Sequence, residues 1–77
     1  MPLFYFDIDD GVYSTEGAEA IEFANTEAAR RGVVSALAEI AANELPNGGS
    51  RTFRAVIRDP DGRDLFEAVL EFRSRWL

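Results

Sequence analysis

The stretch RTFRAVIRDPDGRDLFEAVLEF, residues 51–72, decides the fold. Phe53, Ala55 and Ile57 alternate with Arg54, Val56 and Arg58, the period-two pattern of a half-buried strand. Asp59-Pro60-Asp61-Gly62 breaks the pattern as a turn, with Pro at its second position and Gly at its fourth. Alternation resumes from about Arg63: Phe66, Ala68, Leu70 and Phe72 point one way, Leu65, Glu67, Val69 and Glu71 the other. The even register continues through Ser74 to Trp76, which either caps the core with the inward set, the reading its parity favours, or lies on a frayed tail that contacts a partner. Two alternating runs joined by a short turn are an antiparallel hairpin.

Upstream of this hairpin the period changes. Ala29, Val33, Ala36, Leu37 and Ile40 recur at three- and four-residue spacings, with Ala41 and Leu45 beside them. The spacing predicts a helix from about Asn25 to Leu45, with Asn25 or Thr26 as the N-cap and Glu27 at the positive end of the dipole. Gly32 inside it costs up to ~1 kcal/mol relative to Ala and is expected to permit a close crossing over the sheet. Pro46-Asn47-Gly48-Gly49 ends the helix and opens a loop.

At the N-terminus Phe4, Phe6 and Ile8 alternate with Tyr5, Asp7 and Asp9, and Asp10-Gly11 signals a second hairpin. A return strand begins at Val12 and Tyr13 and is interrupted at Glu16-Gly17; Ile21 and Phe23 anchor the approach to the helix. The order strand, strand, helix, strand, strand implies a single small domain over residues 1–77. Its expected architecture is α+β and two-layered, a four-stranded antiparallel sheet with one helix packed on one face. The expected core is Phe4, Phe6, Ile8, Val33, Leu37, Ile40, Phe53, Ile57, Phe66, Leu70 and Phe72.

Met1-Pro2, Phe4-Tyr5-Phe6, Asp10-Gly11, Glu16-Gly17, Asn25, Ala28-Ala29-Arg30, Asp59, Gly62-Arg63 and Phe72 together carry a resemblance. In these residues the chain resembles a family of short bacterial proteins known only as a domain of unknown function. The resemblance implies the same two-hairpin, one-helix architecture and brings no catalytic or binding residue with it.

Composition excludes whole classes of chemistry. There is no Cys and no His, so Ser-His-Asp and Cys-His catalysis, thiolate clusters and imidazole zinc sites are absent. All eight cations are Arg; without Lys there is no Schiff base and no Walker phosphate loop. The net charge of −6 opposes nucleic acid and anionic lipid. No apolar run approaches the ~18 residues of a membrane span. No basic-then-apolar leader is seen, and the lack of Cys suits a reducing compartment, so cytoplasm is the expected location.

Two acidic clusters invite a metal reading and fail it. Counted from Asp7, Gly11 falls at position 5 of an EF-hand loop and Ala18 at position 12, where the ligand pattern needs an oxygen donor and a Glu. Asp7, Asp9 and Asp10 are therefore read as hairpin residues, and Asp59, Asp61 and Asp64 as turn residues; no metal or cofactor is expected. Glu67 and Glu71 are expected to pair across strands with Arg54 and Arg58.

The sheet face away from the helix is the candidate site. Leu3, Tyr5, Val56, Leu65 and Val69 project there if the alternation holds, with Arg54 and Arg58 among them. A mixed apolar and charged face of this kind suits a homodimer or another protein partner. The expected function is a non-catalytic protein–protein interaction or self-association module. Two alternatives use the same face: a regulatory single-strand nucleic-acid binder built on Tyr5, Arg54 and Arg58, and a small carboxylate-dependent enzyme.

Overall fold

The computed structural model describes residues 2–11, 14, 15, 17, 20–45 and 49–77. In chain order the elements are β1 (Leu3–Asp9), β2 (Ser14–Thr15), β3 (Ile21–Glu22), α1 (Thr26–Glu44), β4 (Ser50–Arg58) and β5 (Asp64–Arg73). All pairings are antiparallel. β2 pairs with the Ile8–Asp9 end of β1 and β3 with its Leu3–Phe4 end, so the two short segments act as one interrupted strand. Four positions result, in the order β2/β3, β1, β4, β5, and the arrangement is the expected β-β-α-β-β of an α+β domain. The expectations for Met1, Val12, Tyr13, Glu16 and residues 46–48 lie outside the described residues.

The helix forms where the spacing put it. Asn25 caps it: its side-chain oxygen accepts from the Ala28 N–H at 2.8 Å, which satisfies one donor of the first turn. Glu27 and Arg30 add an exposed ion pair one turn apart. Ala29, Val33, Leu37 and Ala41 form the buried stripe, and they meet Phe4, Phe53, Ala55 and Ile57 from β1 and β4. Small Ala residues at both ends of the stripe let the helix approach the two central strands closely. Gly32 has a different role from the expected crossing. The Phe23 ring lies against it, and a Cβ there would stand 2.8 Å from the ring carbons. Phe23 in turn stacks on Phe6, with centroids 5.7 Å apart, and tilts against Phe4.

Of the expected core, Phe4, Val33, Leu37, Phe53 and Ile57 are buried, Phe6, Ile8 and Ile40 are half-buried against them, and β5 departs furthest. Leu70 is 37% exposed, and Phe66 and Phe72 are only half-buried. An α-helix with its side chains is about 10 Å across and strands lie about 4.8 Å apart, so one helix covers roughly two strands. α1 is centred over β4 with β1 and β5 to either side; Phe66 and Ala68 of β5 pack against the core, while Leu70 stays open. Of the two readings of Trp76 the core cap fails: the side chain is fully exposed. Strand pairing ends at Arg73, with one further backbone bond from Ser74 to Gly49, and beyond it the indole stands clear of the other described residues.

Arg51 ties three elements at the far end of the helix. Its guanidinium donates to the Asp10 carbonyl at 2.7 and 3.2 Å, lies 3.6 Å from the Glu44 carboxylate, and covers the Phe53 ring. One side chain thus connects the first turn, the last turn of α1 and β4. Among the described residues no helix is long and apolar enough to cross a membrane.

Candidate interaction surface

The face away from the helix is built on three strands in register. Asp7, Val56 and Glu67 form one cross-strand row; Asp9, Arg54 and Val69 form the next; Tyr5 lies opposite Arg58. The expected seven residues do share this face, but they do not form one apolar stripe. Val56 is 6% exposed, so its side chain belongs to the chain's own packing. It stands between Arg54 and Arg58 on β4 and opposite Asp7 and Glu67 on the neighbouring strands. Tyr5 is half-buried, with the Arg58 guanidinium 5.2 Å above its ring. Leu3, Leu65 and Val69 remain exposed, and of these Val69 is the most open at 52%.

The two arginines are engaged within the chain. Arg54 meets Glu67 at 2.6 Å, as the cross-strand expectation required. Arg58 takes Asp7 instead of Glu67 or Glu71. Its Nε and Nη2 donate to both oxygens of Asp7 at 2.6 and 3.0 Å, and Nη2 also reaches the Gly17 carbonyl at 3.2 Å. The Gly17 N–H returns a hydrogen bond to Asp7 at 2.9 Å. The sequence reading missed this closed set, because Arg58 lies far from Asp7 in sequence and the pairing depends on strand order. Gly17 must come this close: a Cβ on it would overlap the Phe6 backbone. The set fastens the interrupted outer strand to β1 and β4. The Asp7 carboxyl is held below its ordinary pKa, first by the hydrogen bonds from Arg58. Partial burial opposes this, and the Gly17 N–H and the Arg58 charge reinforce it.

The acidic clusters serve the turns. Asp9 accepts from the Gly11 N–H at 2.8 Å, and Asp59 accepts from the backbone of Asp61 and Arg63 at 3.0 and 2.9 Å. Gly11 and Gly62 take the positive φ values of 90° and 85° that these turns require. Among the described residues no group of three or more acidic side chains gathers as a metal site.

The apolar exposure concentrates on β5. Leu65 and Val69 open onto the outer face, Leu70 onto the helix side, and β5 is the last strand in the sheet order. Leu65 is the extra residue of a bulge, since Ile57 pairs with Phe66 and Arg58 with Asp64. A shallow hollow of about 340 Å³ lies at this bulge, lined in part by Arg54, Asp64, Leu65 and Glu67. Alternation could show what each face of β5 carries. It could not show that β5 ends the sheet with Phe66 and Ala68 packed against the core and Leu70 open.

A family model described as Domain of unknown function (DUF6894) matches residues 3–71. No curated protein and no solved structure matches the chain.

Proposed function

The chain belongs to the DUF6894 family, a domain of unknown function, and from that premise we propose that it is a non-catalytic interaction module that self-associates. The observation that carries the reading is β5, a fully formed strand at the sheet edge with apolar side chains open on both faces. A domain this small has little stability in reserve, and a second copy would supply the missing cover. The accessible surface supports this. At 5512 Å² it exceeds the about 4,700 Å² expected of a compact monomer of this mass. The fully exposed Trp76 and Leu77 contribute part of that excess, and the open side chains of β5 add to it.

The arginines bear on the choice of partner. Arg54 and Arg58 are held by Glu67 and Asp7, so phosphates would have to displace carboxylates already in place on a chain of net charge −6. The absence of Cys supports a reducing location, the bacterial cytoplasm. Sedimentation velocity of the whole chain from about 1 to 100 μM tests the reading. A concentration-dependent shift to a dimer is the expected outcome, and a monomer throughout would overturn it.

A further inference from the structure

The free edge of β5 has a direction that the backbone fixes. The Ser74 N–H donates to the Gly49 carbonyl at 2.6 Å, in line with the Ser50–Arg73 pairing. Hydrogen-bonded and non-bonded pairs alternate along an antiparallel ladder. Phe72, Leu70, Ala68 and Phe66 therefore spend their backbone groups on β4. Arg73, Glu71, Val69 and Glu67 turn theirs outward, where no strand meets them among the described residues. A second β5 can bond to this edge only if odd residues face odd residues, which puts both helices on the same side of the joined sheet.

Charge then selects the register. A two-fold axis at Val69 sets Glu67 against Glu71 twice. An axis at Glu71 sets that carboxylate against itself, and one at Ala68 sets Arg63 against Arg73. Two axes pair opposite charges within the strand: one at Phe72 sets Glu71 against Arg73 but overlaps only residues 71–73 of each copy, whereas one at Leu70 sets Glu67 against the second copy's Arg73, twice by symmetry, over residues 67–73. In that register Leu70 meets Leu70 and Ala68 meets Phe72, a small side chain against a large one. The second copy's Arg75 arrives opposite Leu65, on the outer face beside Glu67.

We propose that two copies join edge to edge through β5, antiparallel and centred on Leu70, with reciprocal Glu67–Arg73 ion pairs. This deepens the self-association reading and rests on it. The joined sheet spans eight strand positions and gains about eight backbone hydrogen bonds. The half-covered Phe66, Leu70 and Phe72 of both copies form one continuous apolar strip between the two helices, and the exposed edge disappears.

Charge reversal tests the register by sedimentation velocity at about 20 μM. The Glu67→Arg chain alone and the Arg73→Glu chain alone should each weaken dimerisation about ten- to a hundredfold, because each sets two like pairs face to face. Mixed one to one, they should form a heterodimer. The two substituted positions then face each other with opposite charges at one end. The unaltered Arg73 of the first chain meets the unaltered Glu67 of the second at the other. Circular dichroism confirms that each variant is folded; the lost Arg54–Glu67 pair is solvent-exposed and contributes little. Single variants that remain dimeric, or a mixture that fails to associate, would overturn the edge register while a dimeric parent leaves self-association standing. A monomeric parent would overturn both.

Discussion

At the residue scale, Asp7 shows how a strand residue on an open face becomes structural. Read in sequence it is one of three neighbouring carboxylates. In the fold it accepts two hydrogen bonds from Arg58 and one from the Gly17 backbone. Its lowered pKa has a thermodynamic consequence. A carboxylate whose folded pKa lies below its unfolded value adds stability above the unfolded value, and loses it as pH falls through the folded one. Asp7→Asn should therefore cost about 1.5–3 kcal/mol at pH 7, the range for hydrogen bonds to charged groups. The gap to the parent should narrow as the pH falls below about 4, where the carboxylate of the unfolded chain protonates first, and close as the folded one follows at lower pH. Urea melts at pH 7 and pH 3 measure both gaps, and an equal gap at the two values would show that the charge is not what matters there. Glu27, held low by Arg30, acts with the same sign, though on an exposed helix surface.

At the element scale, α1 and β5 divide the apolar residues unequally. The stripe Ala29, Val33, Leu37 and Ala41 closes over β1 and β4, and Leu37 is 4% exposed. Leu70 has the same hydrophobic character and the inward parity, yet lies beyond the edge of the helix. Leu37→Ala should cost about 2–5 kcal/mol, since it leaves a cavity between helix and sheet. Leu70→Ala should cost about 1 kcal/mol or less in a dilute sample where the protein is monomeric, because little area there is removed from water. At high concentration the same variant should lose association, since Leu70 lies on the proposed axis. Chemical melts at two protein concentrations separate these effects. Equal costs for the two leucines at high dilution would contradict the coverage described here.

At the scale of the whole molecule, the chain is elongated. Its radius of gyration of 13.6 Å exceeds the roughly 11.5 Å of a compact chain of this length, and its extents are 49 × 20 × 16 Å. A thin two-layer domain with one helix covers β5 only in part, leaving Leu70 open. Edge pairing would lengthen the sheet without needing a new layer, and folding would then be linked to association. The melting temperature should accordingly rise with protein concentration, by mass action on the dimer. Calorimetric scans at about 5 and 200 μM measure it. A melting temperature independent of concentration, in a reversible transition, would mean that association contributes nothing to stability.

Local pattern alone determined the two hairpins, the helix with a cap at Asn25 or Thr26, the turns at Asp10-Gly11 and Asp59–Gly62, and which face each strand residue takes. These features depend on periods of two and 3.6 residues and on turn chemistry within a few residues, so they are written in consecutive positions. The tertiary structure decided what depends on strand order and on the width of a helix. It put β1 beside β4, which gave Arg58 to Asp7 and buried Val56 on the face where exposure was expected. It placed Phe23 on Gly32, joined Arg51 to the first turn, and left Trp76 in water. Above all it made β5 the edge. Alternation assigns a side chain to a face, but only the packing of the helix and the order of the strands decide whether that face or edge is covered.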